Sequence, residues 1–109
     1  MTSSAQGFAQ AASALAAQGR DDEAKALYDR GLASFPQDAR LANSAGNFHF
    51  KAGRMEPALA LFERALTLAP DLLEAGINAA ITLGRMARPE RALALLAPLE
   101  YTAEGNAGY

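Results

Sequence analysis

A step of 34 residues recurs along the chain and constrains its fold more than any other feature. Gly19, Gly53 and Ala87 are separated by this step. Four further columns follow it, with substitutions at some places: Ala24/Ala58/Ala92, Tyr28/Phe62/Leu96, Gly31/Ala65/Leu99 and Pro36/Pro70/Glu104. A fixed period of this length indicates one supersecondary unit copied in tandem. We therefore expect a stack of repeated units rather than one globular core.

Each period divides into two segments whose apolar residues have helical spacing, separated by a short break. Gly19 suits a left-handed position at a helix C-terminus, and Asp38 suits an N-cap. Pro70 is expected to end one helix and Asp71 to cap the next. The predicted helices span residues 4–18, 22–34, 38–52, a segment with Pro57 in its first turn, 72–86, and a last segment from 90 that Pro98 cuts short.

These columns resemble the tetratricopeptide repeat family, whose 34-residue unit follows W-x2-L-G-x2-Y, A-x3-F, A and P. The second repeat matches best, with Gly46, Ala58, Phe62, Ala65 and Pro70 in the family positions. The resemblance implies an all-α fold, an α-solenoid of three antiparallel helix-turn-helix repeats in a right-handed superhelical stack. The repeats would span 5–38, 39–72 and 73–106, in a domain of residues 1–100 followed by a flexible tail, 101–109.

The composition argues against several classes of function. The net charge of −2 does not favour a nucleic-acid-binding face, which is normally basic. The chain has no cysteine, and therefore no disulfide, thiolate zinc site or thiol nucleophile. Small secreted domains often carry disulfides, so we expect a cytoplasmic protein. No apolar run approaches the roughly 20 residues that span a bilayer, so no membrane partner is expected.

The sequence gives little support for catalysis. His49 is the only histidine, and it lies between Phe48 and Phe50, which favours a packed structural role. The chain contains no HExxH, GxSxG or phosphate-binding glycine motif and no cluster of metal ligands. Acidic residues stand mainly at predicted helix starts, where they compensate the helix dipole. We therefore expect no enzymatic activity, no metal and no cofactor.

The resemblance also implies a binding surface, because the first helix of each tetratricopeptide repeat lines a concave groove in which peptides usually lie. An amide can pair with both the N–H and the C=O of an extended peptide, and apolar side chains can supply one anchor. The positions of family members that grip a C-terminal carboxylate carry no positive charge here. The predicted groove residues are Asn43, Asn47, Phe50, Lys51, Ile77, Asn78, Ile81 and Arg85.

The last predicted helix suggests alternatives to groove binding, because it is apolar nearly all round. Such a helix needs cover on both sides, and terminal repeats normally carry a polar capping face. One alternative is an oligomerisation element that forms a homodimer through this surface. The other is a piece of a longer protein, such as the regulatory or substrate-presenting domain of a bacterial transferase. The residues of this surface are Leu93, Leu95, Leu96 and Leu99.

Overall fold

The computed structural model describes residues 4–86, which form five α-helices and contain no strand. The helices are α1 (Ala5–Ala17), α2 (Asp21–Ser34), α3 (Ala39–Lys51), α4 (Met55–Leu68) and α5 (Leu73–Arg85). The most extensive packing joins α1 to α2 and α3 to α4, while α1, α3 and α5 contact one another in that order. The all-α solenoid predicted from the 34-residue step is confirmed.

Several helix ends are set by capping residues and glycines that can be recognised in the sequence. Gly19 and Gly53 have φ of 79° and 82°, in the left-handed region that favours glycine after a helix. Asp38 caps α3, because its side chain accepts a hydrogen bond from the backbone N–H of Leu41 at 2.9 Å. Ser4 caps α1 in the same way through the N–H of Gly7. Ser4 and Gly19 thus set the ends of α1, and Asp38 and Gly53 set those of α3.

The prediction that Asp71 caps α5 is wrong. The N-cap of α5 is Leu72, and no side chain accepts a hydrogen bond from the first turn of the helix. The physical reason is register: the step of 34 residues carries Asp38 onto Leu72, so Asp71 stands one residue too early to reach the first-turn N–H groups. The first turn of α5 therefore lacks the cap that α3 has.

The core explains the columns of small residues. Ala24 and Ala58 are fully buried where paired helices approach each other. Gly46 on α3 faces the ring of Phe62 on α4, and a Cβ built at Gly46 would lie 2.5 Å from that ring. Phe62 is itself fully buried, so the ring could move away only by displacing other core side chains. A small residue at each of these positions is a packing requirement.

The expectations for the C-terminal part of the chain lie outside the described residues. They concern the apolar last helix with Pro98, the end of the third repeat and the tail of residues 101–109. The predicted oligomerisation surface of Leu93, Leu95, Leu96 and Leu99 belongs to this part as well.

Candidate peptide-binding groove

Helices α1, α3 and α5 lie side by side and leave several clefts between them, two of which are lined by Asn47. The α1/α3 cleft has a volume of about 480 Å³ and is lined by Ala9, Ser13, Ala16, Ala17, Asp21, Tyr28, Ser44, Asn47, Phe48, Lys51 and Ala52. The α3/α5 cleft has a similar volume and is lined by Asn43, Ser44, Asn47, Glu74, Ile77 and Asn78. Ser44 and Asn47 line both clefts, so α3 forms the ridge of a continuous grooved surface.

Asn47 occupies the centre of this surface. Its side chain is half-buried, and it makes no side-chain hydrogen bond to another residue within 4–86. Its amide therefore keeps both its donor and its acceptor for a ligand. Lys51 lies one helical turn further along α3 and exposes its ammonium at the edge of the α1/α3 cleft. Both residues belong to the set predicted from the sequence.

Asn43 and Asn78 form a hydrogen bond across the α3/α5 cleft. The Nδ2 of Asn78 donates to the Oδ1 of Asn43 at 3.0 Å, and Asn43 is only 8% exposed. The hydroxyl of Thr82 donates to the backbone carbonyl of Asn78 at 2.7 Å, within α5. The sequence predicted that both amides face a peptide, whereas the structure uses part of their bonding capacity to tie α5 to α3.

Aromatic and cationic side chains meet near the C-terminal ends of α3 and α5. The guanidinium of Arg85 lies over the ring of Phe50, 5.1 Å from its centroid, which holds this cation against α3. Ile77 lines the α3/α5 cleft and is 41% exposed, while Ile81 is 47% exposed one turn later. These four predicted residues lie on adjoining turns of neighbouring helices and are not joined in one pocket.

Charges at the opposite end of the groove largely cancel. Arg40 and Glu74 form an ion pair at 3.9 Å, and both side chains are highly exposed. An exposed pair of this kind contributes little to stability, because water screens it and two long side chains must be ordered. The pair therefore adds no net charge to this end of the groove.

His49 is held within the fold and does not line either cleft. It is 6% exposed, its ring meets that of Phe48 edge to face, and its Nδ1 accepts a hydrogen bond from the Nε of Arg54 at 2.9 Å. Burial, and then the neighbouring guanidinium of Arg54, lower the pKa of His49. The expectation of a packed structural histidine is confirmed.

Several cleft residues were absent from the predicted set. Ala16, Ala17 and Asp21 close one side of the α1/α3 cleft. Ala17 shares its column with Lys51 and Arg85, so the step of 34 residues was the available signal for it. Within residues 4–86, no group of three potential ligand residues is placed to hold a metal ion. No helix in that range has the length and apolarity to cross a bilayer.

The fold and the groove place the chain in a class of proteins: helical-repeat proteins in which the first helix of each repeat lines a recessed surface. Two tetratricopeptide repeat models match the chain, one at residues 5–48 and one at residues 39–72. Together they cover more than half of the chain. The chain therefore belongs to the tetratricopeptide repeat family, whose repeats generally mediate protein–protein interaction.

Two solved structures, the crystal structure of MamA and a crystal structure of MamA protein, share this fold. Their TM-scores are 0.84 and 0.80, and both are 17% identical to this chain. The matches cover 100% and 99% of this chain but only 64% and 61% of the two MamA chains. At this identity the similarity concerns the fold alone. No curated protein sequence matches the chain.

Proposed function

We propose that the chain is a scaffold that binds an extended segment of a partner protein in the groove of α1, α3 and α5. The observation that carries the proposal is Asn47, whose amide lies between two clefts without a bond to the rest of the described fold. An amide in that position can donate to and accept from a peptide backbone whatever its side chains are. The side-chain amide would bond to the backbone of the segment, and such contacts would supply affinity.

The surroundings of Asn47 support a preformed site. The Asn43–Asn78 hydrogen bond fixes the spacing of α3 and α5, so the groove is already open when the segment arrives. A rigid groove reduces the ordering cost of binding. Ser44 offers a hydroxyl in both clefts, and Ile77 gives the α3/α5 cleft an apolar wall.

The ends of the groove would contact the flanks of the segment. Lys51 and the Arg85 guanidinium stacked on Phe50 stand at one end, and Ile81 lies one turn before Arg85. Together these residues complete the surface predicted from the sequence. In this proposal the groove only binds the segment, and no side chain has to make or break a covalent bond.

Peptide selection tests this proposal. A displayed library of random 12-residue peptides is selected on the full chain, and each selected peptide is then measured by fluorescence anisotropy against Asn47→Ala. Loss of a central amide that holds the backbone should weaken binding about tenfold. Gln18→Ala is the matched control, because Gln18 is an exposed amide outside both clefts. Peptides that bind Asn47→Ala as tightly as the original chain would refute the proposed site.

A further inference from the structure

Tyr28 carries a hydroxyl group that the described fold does not use. The residue lies on α2, is only 4% exposed, and packs its ring against Phe48 with 5.3 Å between the centroids. Its hydroxyl makes no hydrogen bond to another residue within 4–86. No side-chain oxygen in that range is both sealed from solvent and unpaired, so the hydroxyl oxygen reaches an open space. Tyr28 lines the α1/α3 cleft, which is that space.

Packing does not explain this hydroxyl. The counterpart of Tyr28 in the second repeat, by the 34-residue step, is Phe62, which is fully buried. The position therefore accepts an aromatic ring without a hydroxyl. A phenol with so little access to water loses part of its hydration, and no hydrogen bond within residues 4–86 replaces it. The hydroxyl therefore costs stability in the free chain, as groups that serve a ligand often do.

The polar groups that line the cleft with Tyr28 are mostly neutral. Ser13, Ser44 and Asn47 belong to this lining, and each of these side chains can both donate and accept a hydrogen bond. Burial raises the pKa of Tyr28, so its hydroxyl is protonated at neutral pH and keeps both capacities as well. The cleft thus offers donors and acceptors together.

The two charged groups of the cleft are Lys51 and Asp21. Both are exposed, and neither forms an ion pair within residues 4–86. Each stands where a helix dipole favours its charge, because Asp21 lies in the first turn of α2 and Lys51 in the last turn of α3. Their charges are opposite, so the cleft has no net charge that would draw an anion or a cation inward.

We propose that the α1/α3 cleft takes up a carboxamide side chain, glutamine or asparagine, from the segment bound in the groove. This choice of side chain rests on the proposed function, because the bound segment supplies the side chain. A carboxamide is neutral and carries both donors and an acceptor, so it can bond to the Tyr28 hydroxyl without desolvating an ion. A hydrocarbon side chain would exclude water from the hydroxyl and leave it unpaired. A carboxylate or an ammonium would lose more hydration than one hydroxyl restores.

Parallel selections test the proposal on the full chain. The library of random 12-residue peptides is selected on the original chain and on Tyr28→Phe, and both bound pools are sequenced. We expect glutamine or asparagine to be enriched at one position on the original chain and not on the variant. Synthetic peptides then carry the enriched amide, its acidic counterpart or leucine at that position. In fluorescence anisotropy the amide peptide should bind at least about tenfold more tightly than the other two, and Tyr28→Phe should remove this preference.

Two further measurements locate the side chain and exclude a structural role. With ¹³C-labelled alanine methyl groups, the amide peptide should shift the resonances of Ala9 and Ala16, which line the cleft, and not that of Ala33, which is exposed outside it. The melting midpoint of Tyr28→Phe should equal or exceed that of the original chain, because the hydroxyl makes no bond within the described fold. A lower midpoint would show that the hydroxyl is structural and would overturn the carboxamide site.

Asn47→Ala separates this site from the proposed function. It should weaken the amide and leucine peptides alike, because Asn47 is proposed to bond to the backbone of the segment. Peptides that bind without an amide preference, or with one that Tyr28→Phe leaves intact, would overturn the carboxamide site alone. A preference that Tyr28→Phe removes, together with full binding to Asn47→Ala, would overturn only the proposed role of Asn47. If no peptide is selected at all, both proposals fail.

Discussion

Replacing Gly46 with alanine tests whether the close approach of α3 and α4 requires a glycine at this position. Helix α3 passes so close to α4 at this point that the added Cβ would lie 2.5 Å from one ring carbon of Phe62 and 2.7 Å from the next. Carbon atoms in contact prefer about 3.5–4.0 Å, so the ring or the helix must move by about 1 Å. Phe62 is fully buried, and because protein cores are close-packed, a shift of its ring must displace neighbouring side chains.

Two opposing effects set the magnitude. Alanine is a better helix former than glycine by about 0.5–1 kcal/mol, which stabilises the variant. Overpacking of a filled core costs about 1–3 kcal/mol, and the short distances at Gly46 place it toward the upper part of that range. We expect a net loss of about 1–2 kcal/mol. At about 4–8 °C per kcal/mol for a domain of this size, that corresponds to a melting midpoint lowered by about 4–16 °C.

Gly84 provides the matched control. It also lies in a helix, but a Cβ built there meets nothing within 4 Å. Gly84→Ala should therefore show only the gain in helix propensity and melt at or slightly above the original chain. Thermal unfolding of both variants is followed by circular dichroism at 222 nm. If Gly46→Ala melts as high as Gly84→Ala, the close approach of α3 and α4 does not limit this position and the reasoning fails.

Other predictions concern His49, the helix cap and the buried alanine column. Because the pKa of His49 is lowered in the fold, the unfolded chain binds the proton more readily, and the free energy of unfolding should fall as pH falls below about 6.5. His49→Gln, which does not titrate, should lack this component in denaturant titrations at pH 7 and pH 5. Asp38→Ala should cost about 1 kcal/mol of stability in urea unfolding, whereas Asp71→Ala, which removes no cap, should change it little. Ala58→Leu should lower the melting midpoint through overpacking of about 1–3 kcal/mol, and an unchanged melt would contradict the assigned register.

The sequence predicted the helices because each signal for them is local. Helical spacing of apolar residues, left-handed glycines at Gly19 and Gly53, and the cap at Asp38 act within a few residues of chain. The failure at Asp71 is also local: an aspartate after a proline looks like a cap, but it stands one residue before the place that the repeat assigns to one. Whether an aspartate caps a helix therefore depends on its position within the repeat as well as on its residue type.

The groove was only partly predictable. The 34-residue step shows which residues hold equivalent positions in successive repeats, but it does not show which residues from different positions contact each other. The 34-residue step placed Asn43, Asn47 and Asn78 on the groove side of α3 and α5. It did not reveal that Asn78 bonds to Asn43, since these two residues are 35 apart and belong to adjacent columns. Phe50 and Arg85 show the same offset. Asn78 and Arg85 thus meet the α3 residues that precede their counterparts, whereas Glu74 pairs with its own counterpart, Arg40.

These contacts explain why the three asparagines have different roles. Asn43 is covered because Asn78 lies on it, while Asn47 keeps a free amide because no described side chain bonds to it. In the column of Asn43, Ile77 stands one repeat later, where the polar pairing ends and an exposed apolar side chain takes its place. The same position of the repeat therefore carries a buried amide on α3 and an exposed hydrocarbon side chain on α5.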